Sequence, residues 1–332
     1  PAPVPGTGAG ATAAKGQDPG VKVGFARRAL TWHRQPGSDN ARLRSDRRLG
    51  YALVAPAIIC LLFVTAFPLV YNLLNSFRNV NLANGAQPHN FTGFANYAQL
   101  FDTPGFVGAL VRTLGFTAVS VVIETVLAIG LALMLNKTFR GRGLVRAAIL
   151  IPWAVPTVVS ATLWKTMFDP RSGFVDYLLG VFHLPGAHVT WLAGEWTAWT
   201  AIFVADAWKN IPFIAIILLA GLQVIPSDIY EAARIDGASP WQAFRRMTLP
   251  LLKPALLVAL IFRTLQALLI FDVIYIMTGG GPGTSTETLS YLNWQAFLVN
   301  TNFGYGGAMS VGLVVLALVI AGIYVRVLRP NT

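Results

Sequence analysis

The chain has 332 residues, 55% of them hydrophobic and only 12% charged, against about a quarter charged in an ordinary soluble domain. That balance excludes a soluble globular protein and points to one built largely in lipid. The formal net charge of +11 lies mainly on Arg residues in loops beside apolar runs; no basic patch interleaved with aromatics is visible, so a nucleic-acid partner is excluded as well.

Residues 1–48 are rich in Pro, Gly, Ala and Arg without an apolar period and are expected to form a disordered, basic cytoplasmic tail. Gly6-Thr7-Gly8-Ala9-Gly10 within it is no phosphate loop, since no strand precedes it and no Lys-Ser/Thr follows. Residues 49–332 are then the membrane domain. Apolar runs near 50–76, 108–135, 144–168, 197–222, 253–278 and 305–327 each exceed the about 20 residues a bilayer requires. The expected fold is therefore all-α, with six transmembrane helices.

Loop charges orient these spans. Arg42, Arg44, Arg47 and Arg48 precede the first span; Lys137, Arg140, Arg142 and Arg146 separate the second and third; Arg234, Arg245, Arg246 and Lys253 separate the fourth and fifth; Arg326 and Arg329 flank the end of the sixth. The alternate loops carry only Arg78 and Arg171. Both termini are expected in the cytoplasm. A short surface helix, Val175 to Phe182, and two interfacial tryptophans, Trp191 and Trp196, are expected in the second outer loop. Pro56, Pro152, Pro156 and Pro212 fall inside spans, where each removes an amide donor; the first three are read as packing kinks, and Pro212 as freeing the Trp208 carbonyl to accept from a solute hydroxyl.

Between the fourth and fifth spans lies a polar stretch, residues 223–252, that must face water. Asp228 to Ile235 reads as a helix with Ser227 as N-cap and Gly237 as its stop. Ser239, Pro240 and Gln242 read as the capping box of a second helix, with Trp241, Phe244 and Thr248 on one face. Glu231-Ala232-Ala233, then Asp236-Gly237, then Leu249-Pro250 resembles the coupling loop of the permease subunits of ATP-binding-cassette importers. The flanks, Leu222 to Asp228 and Gly279-Gly280-Gly281-Pro282, are similar to the carbohydrate and glycerol-phosphate branch of that family, and the likeness extends over about Leu49 to Leu328.

The resemblance implies a type I importer permease of the bacterial plasma membrane. It implies a second, homologous permease subunit, two copies of a cytoplasmic ATPase that bind ATP and Mg, and an extracellular or periplasmic solute-binding protein. Glu231, Ala232, Ala233, Asp236, Gly237, Leu249 and Pro250 would engage the ATPase, with Glu231 suited to an Arg of that partner. No catalysis is expected in this chain itself, which has no phosphate-binding motif, no metal-spaced His or Cys cluster and no Gly-x-Ser-x-Gly. His33, His89, His183 and His188 all fall in the expected tail or loops. The solute is expected to be a disaccharide or oligosaccharide. A glycerol-phosphate or other polar solute is the alternative, and a membrane enzyme acting on lipid-linked sugars through Asp169, Asp176 or Glu195 is a more distant one.

Counting the helical rise from the cytoplasmic ends puts Glu124, Asn210 and Arg263 at one depth, roughly 15 to 20 Å into the bilayer. Polar groups converging there are candidates for a solute path. Gln266 lies three residues after Arg263 and is expected on the same helix face. In the maltose permeases the sugar is held by the spans on either side of the coupling loop, and motif alignment adds Phe213 on the first and Gln266 and Ile270 on the second, with Arg263 a charged departure from that pattern. Glu124 with Arg263, and Asp206 with Lys209, read alternatively as structural pairs.

Overall fold

The apolar runs fold as helices because a backbone surrounded by hydrocarbon has to satisfy its own polar groups. The computed structural model describes residues 36–84, 90–186 and 189–328. The Gly6 to Gly10 stretch, His33, His89, His188 and Arg329 lie outside these residues. The described residues fall into two compact units, 36–63 and 64–328.

In the first unit, α1 (Pro36–Leu61) contains Pro56 and runs through the expected tail boundary at residue 48. Helix therefore begins at least twelve residues earlier than the composition suggests. Ala41, Arg42, Leu43 and Arg44 are good helix formers, and a proline in the first position is already set to helical φ.

The second unit opens with α2 (Phe67–Ser76) and α3 (Ala95–Asp102), followed by the long α4 (Phe106–Asn136). Next come α5 (Arg142–Ile149), α6 (Ile151–Ala154), α7 (Thr157–Met167) and the short α8 (Phe174–Val181), the last within one residue of the expected surface helix. After α9 (Glu195–Gln223) come α10 (Ser227–Ile235), α11 (Pro240–Ala243) and α12 (Leu249–Leu251). The chain ends with α13 (Lys253–Leu268), α14 (Asp272–Met277), α15 (Leu289–Trp294) and α16 (Phe303–Leu328). No β-strand occurs among the described residues, and strand-like pairing is limited to the isolated bridges Arg78 with Phe91 and Asn81 with Asn302.

Five stretches among the described residues are long and apolar enough to cross a bilayer: Leu49–Ser76, Phe106–Asn136, Glu195–Gln223, Lys253–Met277 and Phe303–Leu328. They agree with five of the six expected spans to within two residues at either end. The expected third span, 144–168, is present as a bent pair: Arg142–Ala154 and Thr157–Met167 meet at 89°. Pro156 is the cause. It has no amide to donate, and it forces Val155 into extended backbone at φ −69°, ψ 132°. Pro212 interrupts nothing by comparison, since α9 continues on both sides of it.

Helices α4, α9 and α13 form the centre of this unit, and small residues let them approach. Ala128, Ala132, Ala215 and Ala259 are fully or almost fully buried, packed with Ile214, Leu218, Leu222, Leu252 and Leu256. A Cβ on Gly221 would collide with the Cβ of Ala255, so glycine is required where α9 meets α13. Toward the other end, Phe116, Ile202, Ala205, Ile270 and Ile274 form a second core with Ala161 and Phe168 from the α7 segment. Helix α16 packs on α2, α3 and α13.

The connection 278–302 folds back onto the bundle. Leu289 and Tyr291 are buried, and the Tyr291 hydroxyl donates to Gly279 O at 2.7 Å. Thr288 Oγ1 donates to Ile270 O at 3.2 Å and Ser290 Oγ to Leu268 O at 3.3 Å, meeting carbonyls left without helical partners at the α13–α14 break.

Candidate functional site

The 223–252 loop is a tight double turn. Ser227 is not the N-cap expected from sequence; Pro226 holds that position with extended backbone, and Ser227 starts the helix. Proline has no amide to leave unpaired at a helix start, which explains the shift. The other end is as expected. Gly237 N donates to Arg234 O at 3.1 Å and Ala238 N to Ala233 O at 2.9 Å, the bond pair of a Schellman stop, with Gly237 at φ +74°. Ser239 then caps the next helix, its Oγ accepting from Gln242 N while Gln242 Oε1 accepts from Ser239 N. Tyr230 Oη and Thr248 Oγ1, 3.1 Å apart, tie the two helices together, and Trp241 stacks on Phe244 at 5.5 Å.

This geometry divides the expected coupling residues. Glu231, Ala232, Asp236, Gly237 and Pro250 are exposed, and Leu249 is half-buried. Ala233 is buried within the loop itself, 1% exposed, so its small side chain serves the packing of α10 on its own neighbours.

The midplane residues form a charged centre joining three helices. Arg263 on α13 donates through Nη2 to Glu124 Oε1 on α4 at 2.9 Å, its Nε lies 2.5 Å from Glu124 Oε2, and Nη2 also bonds Asp206 Oδ2 on α9. Glu124 is 0% and Arg263 1% exposed. Asn210 Nδ2 donates to Asp206 Oδ1 at 2.8 Å and to Asp206 O at 3.0 Å. Glu124 and Arg263 therefore face one another as a pair, with Asn210 joined to them through Asp206. Asp206 pairs with Arg263, not with Lys209 as the neighbouring charges in the sequence suggest.

Lys209 has another task. Its Nζ donates to Trp153 O at 3.2 Å and to Val155 O, the carbonyls freed where the α6–α7 segment breaks. A cation thereby replaces the helical amides that the turn removes, inside a region where an unmet carbonyl is costly. Trp153 lies flat on Phe213, with centroids 4.7 Å apart and planes 7° off parallel, and Phe213 meets Phe262 edge-on at 6.3 Å.

Beside this break is a cavity of about 370 Å³, within the about 300–1,000 Å³ range of ligand sites. Asn210, Gln266 and Ile270 line it, together with Asp206, Lys209 and Asp272, and with Trp153 and Thr157 from the broken span. Phe213 backs Trp153, and Glu124 and Arg263 do not line it. Trp153, Thr157 and Asp272 were missed because each depends on a helix break. The two prolines four residues apart in one apolar run, Pro152 and Pro156, were the available signal.

At the opposite end of the bundle from the 223–252 loop, Asp169 offers little to general acid chemistry. Its Oδ1 accepts from Arg171 N at 2.9 Å and Ser172 N at 3.0 Å, and these amides hold its carboxyl below the usual carboxylate range.

Residues 124–331 match the family described as the binding-protein-dependent transport system inner membrane component. The chain belongs to this family. The permease is similar to the trehalose/maltose transport system permease protein MalF of Thermococcus litoralis, 40% identical over 284 residues that cover 86% of this chain and 95% of that protein. It is also similar to the trehalose transport system permease protein SugA of Mycobacterium tuberculosis, 39% identical over 284 residues, 85% of this chain and 89% of that one. Among solved structures, a bacterial ABC transporter involved in the import of the acidic polysaccharide alginate matches with a TM-score of 0.74 and 27% identity, over 88% of this chain and 99% of that chain. The fold is that of an ABC importer permease, a multi-pass inner-membrane protein.

Proposed function

We propose that the permease carries a carbohydrate, a disaccharide or oligosaccharide, into the cytoplasm, with Asn210, Gln266 and Ile270 on its path and Phe213 supporting the aromatic wall. The observation that carries this reading is the cavity itself: an amide at Gln266, a hydroxyl at Thr157 and the carboxamide of Asn210 surround a Trp153 face. Hydroxyl groups and an apolar ring face are what a sugar presents. The trehalose and maltose systems among its relatives support the same class. Glu124 and Arg263 then act one layer behind the path, holding α4, α9 and α13 in register.

In this reading the chain hydrolyses nothing. It works beside a second permease subunit, with two copies of an ATPase seated on the 223–252 loop and a solute-binding protein at the opposite face. Gln266 is exposed in the cavity, so its replacement leaves the bundle intact. Gln266→Leu is expected to reduce uptake of radiolabelled trehalose and maltose by proteoliposomes carrying the whole complex to about a tenth or less, as in sites built on hydrogen bonds to hydroxyls, while the ATPase subunits still copurify. Undiminished uptake would move the path elsewhere.

The loop charges support a reading with both termini and the 223–252 loop in the cytoplasm. With Cys60 replaced, cysteines at the exposed positions Ser172 and Thr284 should react with an impermeant thiol reagent on intact cells, and Arg245→Cys only after permeabilisation. Labelling of Arg245→Cys from outside would invert the orientation and remove the loop from the ATPase side.

A further inference from the structure

We infer that the cavity beside the broken span selects uncharged saccharides and rejects anionic ones. This rests on the carbohydrate-path reading above and adds to it the charge of the solute. The relatives leave that charge open, since trehalose and maltose are neutral whereas the alginate importer handles an acidic polysaccharide.

Selection by charge depends on the counter-charge that the cavity wall can offer. The charged residues lining the cavity are two carboxylates, Asp206 and Asp272, and one ammonium, Lys209. Lys209 is already donating to the Trp153 and Val155 carbonyls that hold the break. The nearby guanidinium, Arg263, is 1% exposed, closed off from the cavity and met by both Glu124 and Asp206. An entering phosphate, sulfonate or uronate would meet a single ammonium, already held by two carbonyls and outnumbered by two carboxylates, at a depth where charge is poorly solvated. A neutral sugar meets no such barrier. Gln266 and Thr157 offer it donors and acceptors, the exposed carboxylate of Asp272 accepts from hydroxyls, and Trp153, held flat by Phe213, adds an aromatic side chain.

The test compares trehalose with trehalose 6-phosphate on the purified whole complex, without its solute-binding protein so that only the permease selects. Saturation-transfer NMR gives the two affinities. Trehalose is expected to bind about tenfold or more tightly than its phosphate, a ratio set by one uncompensated charge. Asp272→Lys, which reverses the sign of the exposed wall charge, should narrow the ratio to roughly threefold or less, a shift that a steric effect of the phosphate would not give. Equal or tighter binding of the phosphate by the unmodified complex, or an unmoved ratio in Asp272→Lys, overturns the inference while leaving the carbohydrate path standing if Gln266→Leu still blocks uptake. If neither sugar binds and Gln266→Leu transports normally, the path reading fails and the charge selection falls with it.

Discussion

Replacing Arg263 with Met is expected to destabilise the bundle by about 3–5 kcal/mol, the penalty seen when one partner of a buried ion pair is removed. The side chain is 1% exposed and is shared by Glu124 and Asp206, so its loss leaves two carboxylates facing each other across three helices. Glu124→Gln should cost much less. Arg263 then keeps Asp206, and the amide oxygen still accepts from the guanidinium. The triple variant Arg263→Met, Glu124→Leu, Asp206→Asn should recover much of the lost stability, because no unpaired charge remains buried. Thermal melting of the detergent-purified complex, read with its elution profile, checks the order. A melting temperature for Arg263→Met equal to that of the parent would show that the triad does not hold α4, α9 and α13 together.

The second large effect is expected at the loop between α9 and α13, through coupling and not through stability. Glu231 is exposed, so Glu231→Lys disturbs nothing inside this chain; reversing its charge against a basic partner group should lower solute-stimulated ATP hydrolysis by about tenfold, roughly 1.4 kcal/mol at an interface charge pair. Gly237→Pro acts by another route. Proline is confined to φ near −65°, whereas Gly237 sits at +74° and donates its amide to Arg234 O. The Schellman stop would open and Ser239 would no longer enter the next helix at the same angle. Both variants should insert and bring down the ATPase subunits, with stimulated hydrolysis reduced. Full stimulated activity in both would make the loop an ordinary connection. Loss of expression in both would point to a purely structural role.

Much of this protein follows from local chemistry, and that part was legible in the sequence. Twenty or more consecutive apolar residues can meet their backbone hydrogen bonds in lipid only as helix, so five spans appear where composition places them. The Ser239–Gln242 box and the Gly237 stop were equally readable, since each is a bond between residues three to five apart. The start of α1 is not legible in composition, because Pro, Gly and Arg lower mean hydropathy without forbidding helix. What only the tertiary structure decided are the contacts made across helices. Pro156 alone says kink; the 89° turn persists because Lys209, on another helix, supplies donors to the carbonyls that the turn releases. Depth along each span brought Glu124, Asn210 and Arg263 to one level, but depth carries no rotation about the helix axis. Rotation is set by the packing of Ala128, Ala215 and Ala259 where α4, α9 and α13 meet, and it turns Arg263 inward to its carboxylates and Gln266 outward to the cavity.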